Sequence, residues 1–295
     1  MADERPVREY HVRARGLSFG VAEWPGDEPA VFLAHASSFH ARIWGQVVAR
    51  LPGIRCAAID MRGHGRSDRP PPPYPWLAFG QDVAAITREL GLRGALAVGH
   101  SKGGHAIING ADLDPEAFAA LLLIDPVVVP RERYALPAPT EPHPAARRRN
   151  TWTSWEEMYE HYVTRPPFDS WDPLVLRDYC KFGLVPRADG RGFELACPPE
   201  VEALLYSGGR GEADPYDAIS RVTVPVRILR ARVPGDGGDT GRPLAASTCV
   251  PDLARHFRDA EDVYLPQHSH FIPMEAPGLI ASHAHEMWER VGAAR

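Results

Sequence analysis

The amino-acid sequence predicts an α/β fold, in which a mostly parallel, doubly wound sheet carries helices on both faces and an inserted helical cap. Apolar runs suited to buried strands alternate along the chain with segments of helical periodicity. Residues 95–104 combine a short apolar strand, a tight turn and a helix start. Between residues 128 and 220 the pattern changes to short helices interrupted by prolines, which is typical of a lid. We therefore expect a core of residues 1–127 and 221–295 and a cap of residues 128–220.

Composition argues against several classes of protein. The chain has 295 residues, 44% of them hydrophobic, which is enough for a substantial core. Its formal net charge of −5 argues against a nucleic-acid partner or a basic membrane-binding surface. Residues 1–15 lack an apolar signal segment, and no apolar run approaches the length of a transmembrane helix. We therefore expect a cytoplasmic location. The four cysteines have no CxxC spacing, so we expect free thiols in a reducing compartment and no metal site.

Strand and helix patterns follow one another in an order that suits a parallel sheet. Residues 11–15 and 17–24 alternate apolar and polar side chains around a turn, which predicts an antiparallel hairpin at the sheet edge. Beyond this hairpin, continuous apolar runs predict buried strands and amphipathic segments predict helices. The predicted strands are 30–34, 54–59, 95–98, 120–124, 224–230 and 262–265, and the predicted helices are 41–51, 76–90, 102–111, 154–163, 173–182, 198–206, 244–257 and 277–291.

The turn between the strand at 95–98 and the following helix carries Ser101 in the pattern Gly-x-Ser-x-Gly, formed with Gly99 and Gly103. A Cβ at either glycine would occupy space that the backbone needs where the helix packs on the strand end. The serine is then expected to adopt a strained conformation that exposes its Oγ. A Gly/Ser turn also matches this pattern by chance, but the strand and helix around it favour a nucleophile.

Four segments together resemble an α/β-hydrolase-fold protein with a helical cap. They are His35 with its loop, residues 60–67 (Asp-Met-Arg-Gly-His-Gly-Arg-Ser), the Ser101 turn, and residues 270–277 (His-Phe-Ile-Pro-Met-Glu-Ala-Pro). The resemblance covers nearly the whole core, and the cap matches less specifically. It implies a serine hydrolase that acts on a small molecule through a Ser-His-Asp triad and needs no cofactor or metal.

The resemblance also implies which histidine serves Ser101. A serine hydroxyl needs a base within hydrogen-bond reach and a third group that fixes the tautomer of this base. His270 follows the last predicted strand and begins the motif His-Phe-x-Pro-x-Glu-x-Pro, so we expect it to be the base. His268 is the nearby competitor.

Two positions remain open for the acid of the triad. Asp125 ends the strand that follows the nucleophile helix, a position that some members of the fold use, and its Asp-Pro turn resembles the acid site of certain haloalkane dehalogenases. Asp236 and Asp239 lie in the glycine-rich loop after strand 224–230, which is the commoner position in the fold. We favour Asp125, with Asp236 as the alternative acid.

For the oxyanion hole, the resemblance implies the backbone N–H groups of Ser37 and Lys102. The sequence departs from the family here, because Ala36 stands where the common His-Gly motif has glycine. A hydroxyl of Ser37 or Ser38 would offer a further donor. Lys102 is uncommon at its position; we expect its side chain to cover the helix start and reach solvent, with a contact to an acidic substrate group as the alternative.

The substrate pocket is expected to use polar and aromatic side chains near these loops. For the aromatic residues, ordinary core packing is an equally good interpretation, and His35 and His64 also resemble positions that stabilise loops in the family. The arginines at 147–149 are interpreted as a solvated face, with a carboxylate-binding patch as the alternative. The candidate pocket residues are His35, Ser38, Phe39, His100, Trp152 and Trp155.

These expectations combine into a serine hydrolase that cleaves a small or medium carboxylic ester, thioester or lactone through an acyl-enzyme. A C–C bond hydrolase or a cofactor-free perhydrolase is the alternative that the same three residues support. A second alternative is a non-catalytic ligand-binding or biosynthetic protein on the same fold, because a fold does not decide function. The sequence leaves the substrate and the oligomeric state open.

Overall fold

An eight-stranded sheet forms the centre of the computed structural model, which describes residues 5–136, 141, 143–207, 213–233 and 246–293. The predicted α/β class with a mostly parallel sheet is confirmed. The strands of this sheet are β1 (Arg8–Ala14), β2 (Leu17–Trp24), β3 (Asp27–Ala34), β4 (Ile54–Ile59), β5 (Ala95–His100), β6 (Phe118–Ile124), β10 (Val226–Ala231) and β11 (Ala260–Leu265). Three short strands lie in residues 128–220, the segment that the sequence predicts to be a cap and that is called the cap below: β7 (Thr151–Trp152), β8 (Leu184–Pro186) and β9 (Phe193–Leu195).

The strand order is β1-β2-β4-β3-β5-β6-β10-β11. Neighbours from β4 to β11 pair in parallel, whereas β1 pairs antiparallel with β2, and β2 antiparallel with β4. The predicted hairpin therefore lies at one edge of the sheet. Because the other strands are parallel, their carboxyl ends meet at one edge, and the loops that follow them are brought together there.

Helices cover both faces of the sheet, and the side chains of each strand alternate between them. In β5, Leu96 and Val98 face the cluster that contains α1 and α9, whereas Ala95 and Ala97 face the cluster that contains α2 and α3. Burying a leucine or valine side chain completely contributes about 1.5–3 kcal/mol. The described helices are α1 (Gly45–Val48), α2 (Trp76–Glu89), α3 (Lys102–Leu113), α4 (Trp155–Tyr162), α5 (Pro173–Phe182), α6 (Pro199–Ser207), α7 (Tyr216–Arg221), α8 (Ile272–Glu275) and α9 (Pro277–Ala293).

Two predicted helices differ from those in the structure. The helix expected over 41–51 is a 3₁₀ turn, Ala41–Trp44, followed by the short α1, which begins at Gly45, a poor helix former. The helix expected over 244–257 is wrong for the residues that the structure describes there. Cys249 forms a parallel bridge with Val128, and only Leu253–His256 is helical, as a 3₁₀ turn. Pro251 lacks an N–H and disfavours a helical conformation at the residue before it.

The cap contains more than the helices that the sequence predicts. Helices α4, α5 and α6 are present, and α5 begins at Pro173 because the Asp172 carboxylate accepts a hydrogen bond of 2.8 Å from the Leu174 N–H. The order of the additional antiparallel sheet is β7-β9-β8. The purely helical cap was therefore an incomplete prediction, because strands of two or three residues leave no periodic signal.

The expectation that residues 147–149 form a solvated face is also wrong for Arg148. Its guanidinium forms an ion pair of 2.9 Å with Glu202 of α6, and only 18% and 9% of the two side chains are exposed. Arg148 also donates hydrogen bonds to the hydroxyls of Tyr162 and Tyr179. This cluster joins α4, α5 and α6 inside the cap.

Two further observations concern the whole described chain. All four cysteines are buried and free. None of the helices in the described part combines the length and the apolar composition needed to span a bilayer.

The packing of α3 on the end of β3 leaves no room for a side chain at Gly103. A Cβ there would lie against the carbonyl oxygens of Ala34 and His35, 2.6 Å from the latter. We expect Gly103→Ala to lower the free energy of unfolding by about 2–3 kcal/mol, because backbone atoms cannot move aside as a flexible side chain can. Urea unfolding followed by circular dichroism measures this change.

Gly292→Ala is the matched control, since a Cβ at Gly292 meets nothing within 4 Å. In the helix α9 this change should stabilise the protein by about 0.5–1 kcal/mol. Equal stability of the two variants would contradict the close approach at Gly103.

Candidate active site

Ser101 occupies the turn between β5, which ends at His100, and α3, which begins at Lys102. Its φ of +54° lies in the left-handed region that residues with a side chain rarely adopt. The backbone on both sides holds this strain: the Ser101 N–H donates to the Ile124 carbonyl at 3.0 Å, and the Ser101 carbonyl accepts from the Val127 N–H at 3.1 Å. The serine side chain is thereby held at the carboxyl edge of the sheet.

Three residues that are distant in the sequence form a continuous hydrogen-bonded chain at this edge. The Ser101 hydroxyl is 3.0 Å from His270 Nε2, and His270 Nδ1 is 2.5 Å from Asp125 Oδ2. Asp125 is completely buried, and Ser101 and His270 are 5% and 9% exposed. With the proton on Nδ1 bound by the carboxylate, Nε2 is free to accept the serine proton.

The Asp125 carboxylate accepts hydrogen bonds from several segments. The Ala231 N–H donates to Oδ1 at 3.0 Å, the Ser247 hydroxyl to Oδ1 at 2.5 Å, and the Thr248 N–H to Oδ2 at 3.2 Å. Burial alone would raise the pKa of Asp125, but the hydrogen bonds from His270, Ser247 and Ala231 lower it below its usual value. Ser247 and Thr248 are functional residues that the sequence does not reveal, since the pattern over 244–257 predicts a helix instead.

The other candidate acids and the competing histidine are placed differently. Asp236 and Asp239 lie outside the residues that the structure describes. His268 is 3.2 Å from the Glu275 carboxylate, which also accepts hydrogen bonds from the backbone and the hydroxyl of Ser269. Glu275 thus stabilises the turn that carries His270, and His268 is one of the residues that Glu275 contacts there.

Two buried histidines link the loop after β3, which contains Ser37, to the loop after β4. His35 donates from Nδ1 to the Ala36 carbonyl at 2.7 Å and accepts from the Met61 N–H at 3.0 Å. His64 accepts from the Ser38 N–H at 3.1 Å. Ser38 has a φ of +73°, so this hydrogen bond stabilises an unfavourable backbone conformation.

For His35, the structure corrects the interpretation as a pocket residue. Both of its ring nitrogens bind backbone groups, and the ring is fully buried. It therefore acts on the loop conformation, as its family-like position also suggested.

The predicted oxyanion donors lie on the two segments that meet at Gly103. Lys102 is the first residue of α3, where an N–H has no acceptor within the helix. Ser37 is buried in the loop that leaves β3. The close contact of Gly103 with Ala34 and His35 brings this loop to the beginning of α3.

The Lys102 side chain does not reach solvent as expected. Lys102 is only 1% exposed, and its Nζ lies 3.6 Å from the centre of the Trp76 ring and 4.3 Å from that of Phe79. Both aromatic residues belong to α2, which packs on α3. The negative faces of the two rings attract the ammonium group into the protein.

Phe39 connects the Ser101 region to the cap. Its ring stacks on His100 with centroids 6.2 Å apart and contacts the rings of Trp171, Tyr179 and Phe271 edge-on at 5.5–6.4 Å. The His100 ring donates from Nε2 to the His270 carbonyl at 2.8 Å. Phe39 and His100 therefore both lie beside His270, and sequence analysis missed the three aromatic partners of Phe39.

Trp152 and Trp155 are placed within the cap. The ring of Trp152 is buried and contacts His161 and Tyr162 with centroids 5.2 and 5.6 Å apart. Trp155 is partly buried at the start of α4 and packs on the same apolar cluster as Phe39. Among the described ring contacts, neither tryptophan touches His270.

Comparison with known proteins relates most of the chain to hydrolases. A sequence profile of the alpha/beta hydrolase family matches residues 31–283. Lipase LipV of Mycobacterium tuberculosis is 37% identical over 219 residues, which cover 70% of this chain and 76% of that protein. A bifunctional esterase/perhydrolase of Acinetobacter calcoaceticus is 34% identical over 124 residues, covering 40% of this chain and 45% of that protein.

A solved structure is similar over nearly the entire chain. E-2-(acetamidomethylene)succinate hydrolase superposes with a TM-score of 0.74 on 95% of this chain and 98% of its own, at 20% sequence identity. At this identity the similarity concerns the fold alone.

The buried histidines around the site make stability depend on pH. Burial lowers the pKa of His35, His64, His100 and His105 from 6.5 to about 3. Between these values the unfolded chain binds more protons than the folded chain, so the free energy of unfolding falls as the pH falls from 6.5 towards 3. Each of these histidines contributes about 1.4 kcal/mol per pH unit to the slope of the free energy of unfolding against pH.

We expect His105→Gln to reduce this slope by about 1.4 kcal/mol per pH unit, because one titrating group is removed. The free energy of unfolding in urea at pH 5.5 and pH 4.5 measures the slope. His285→Gln, at an exposed position of α9, is the control and should leave the slope unchanged. An unchanged slope in His105→Gln would show that His105 is not held neutral by burial.

Proposed function

The chain belongs to the alpha/beta hydrolase family and is a hydrolase, and from this premise we propose that it cleaves a small or medium carboxylic ester, thioester or lactone. The observation that carries the proposal is the hydrogen-bonded chain from Ser101 through His270 to the buried Asp125. This arrangement suits nucleophilic attack on an acyl group. The similarity to a lipase and to an esterase/perhydrolase supports the same reaction class.

In the proposed first step, His270 Nε2 takes the hydroxyl proton of Ser101 while Oγ attacks the substrate carbonyl carbon. The negative charge that develops on the carbonyl oxygen is stabilised by the N–H groups of Lys102 and Ser37. His270 then gives its proton to the leaving alcohol or thiol, and an acyl-serine remains. Asp125 keeps the proton on Nδ1 and stabilises the imidazolium that forms in each transfer.

The second half of the reaction uses the same groups. Water gives a proton to His270 and attacks the acyl carbon. The resulting intermediate collapses to the carboxylic acid as His270 returns this proton to the departing Oγ of Ser101, which restores the free enzyme. The apolar rings around Phe39 lie next to this centre, so we propose that they contact the acyl or alcohol part of the substrate.

The identity of the nucleophile is tested with a fluorophosphonate probe and a panel of p-nitrophenyl esters from acetate to octanoate. We expect the wild type to be labelled at a single serine, and Ser101→Ala to lose labelling and at least about 10³-fold in kcat/KM. Ser282→Ala, an exposed serine of α9, should keep both properties. Labelling that persists in Ser101→Ala, or a wild type that is neither labelled nor active, would remove the proposal and favour a ligand-binding protein.

The choice of acid is tested by comparing two isosteric substitutions. Asp125→Asn should lower kcat by about 10³-fold or more, because an amide at this position no longer favours the tautomer with a free Nε2. Asp236→Asn should stay within about threefold of the wild type. The steady-state kcat for one p-nitrophenyl ester measures both, and a loss confined to Asp236→Asn would contradict the assignment.

Perhydrolysis is a second candidate, favoured by the similarity to the esterase/perhydrolase. Hydrogen peroxide would replace water as the acceptor of the acyl group, so the product would be a peracid. Peracid formed from an ester and hydrogen peroxide, measured beside the carboxylic acid, tests this activity. C–C bond hydrolysis remains the alternative if the esters are not cleaved while Ser101 is still labelled.

A further inference from the structure

The loop after β10 carries the acid in the commoner arrangement of this fold, and here it binds the carboxylate of another strand. Ala231 ends β10, and its N–H donates to Asp125 Oδ1 at 3.0 Å. Ser247 and Thr248, which follow later in the same connection, donate to Oδ1 at 2.5 Å and to Oδ2 at 3.2 Å. His270 binds Oδ2 at 2.5 Å. Among the residues that the structure describes, each carboxylate oxygen therefore has two donors.

The Ser247 hydroxyl has a defined direction. Its Oγ accepts a hydrogen bond of 3.1 Å from the Cys249 N–H. A hydroxyl has one proton and two lone pairs, so the proton remains available for Asp125 Oδ1. Since the carboxylate is ionised, this hydrogen bond belongs to the stronger, charge-assisted class.

The segment that carries Ser247 is held on two sides. The Ser247 N–H donates to the Arg232 carbonyl at 2.9 Å, beyond the end of β10. The Val250 N–H donates to the Val128 carbonyl at 2.8 Å, and Cys249 forms a parallel bridge with Val128, beyond the end of β6. The hydroxyl is therefore placed by backbone contacts to the residues that follow β10 and β6.

We propose that Ser247 is a positioning residue of the Ser101–His270–Asp125 triad, whose hydroxyl holds the Asp125 carboxylate in the rotation that presents Oδ2 to His270. The inference rests on the proposed function. Removing the hydroxyl takes away one of the two described donors to Oδ1 and leaves the Ala231 N–H. With one donor fewer, the Asp125 carboxylate is a stronger base towards His270. The carboxylate group also rotates more freely.

These two consequences give a distinctive kinetic signature. A more basic carboxylate stabilises the protonated triad, so the acid limb of kcat/KM moves to higher pH. His100 and Cys249, two described titratable groups beside the triad, do not change charge in this range. His100 from β5 has a pKa of about 3 because of burial, and burial raises the pKa of the Cys249 thiol well above its usual value.

The test compares Ser247→Ala with Ser247→Thr, which keeps a hydroxyl, and with Ser282→Ala on the exposed face of α9. In Ser247→Ala we expect kcat for a p-nitrophenyl ester to fall about tenfold, KM to stay within about twofold, and the acid limb to rise by about half a pH unit. Ser247→Thr should recover kcat to within about threefold of the wild type. Ser282→Ala should have the same kcat, KM and acid limb as the wild type.

A second readout does not depend on ester hydrolysis. The proton between His270 Nδ1 and Asp125 is expected to give a strongly downfield ¹H NMR signal, assigned by its loss in Asp125→Asn. This signal should shift in Ser247→Ala and return in Ser247→Thr. Should Ser247→Ala fail to fold, Ser247→Cys, of similar size with a weaker donor, should show the same shifts to a smaller extent.

An unchanged acid limb and an unchanged signal in folded Ser247→Ala would overturn the proposal, as would a limb that moves to lower pH. Equal loss of kcat in Ser247→Ala and Ser247→Thr would do the same, since it would assign the effect to packing. If the wild type lacks hydrolase activity altogether, the proposed function fails, and the NMR comparison still decides whether Ser247 positions Asp125.

Discussion

The buried carboxylate of Asp125 is the constraint around which this edge of the sheet is built. An ionised group in the protein interior costs several kcal/mol unless donors replace the water that it loses. Here the donors come from the end of β10, from residues 247 and 248, and from His270. Satisfying one anion therefore joins segments that lie more than a hundred residues from Asp125 in the sequence, and the same contacts align His270 with Ser101.

Neutral histidines provide a second level of order. A neutral imidazole has one donor and one acceptor, so a buried ring can join two backbone segments without adding a charge. His35 and His64 use this property to couple the loop after β3 to the loop after β4, and His100 uses one nitrogen to bind the carbonyl of His270. The loops around Ser101 are thereby joined by hydrogen bonds, and protonation of these rings at low pH opposes the folded state.

Aromatic packing is one of the connections between the cap and this centre. Phe39 lies in the loop after β3. Its ring contacts Tyr179 of α5 and Trp171, which precedes α5 in the sequence. Tyr179 also accepts a hydrogen bond from Arg148, whose ion pair with Glu202 lies inside the cap. Tyr179 thus contacts both the loop that contains the proposed oxyanion donor Ser37 and the polar cluster inside the cap.

The sequence by itself determined the α/β sheet, most helix boundaries and the tight turn at Ser101, because apolar periodicity and glycine spacing are local signals. It left the acid open between Asp125 and Asp236, since both follow predicted strands. Only the tertiary structure decided which segments surround the Asp125 carboxylate, because these contacts depend on how β6 packs beside β10. The helix predicted over 244–257 is wrong, and the Lys102 side chain is buried instead of exposed, for the same reason. Ser247 and Lys102 contact side chains on other elements of the fold, and no local sequence pattern reveals such contacts.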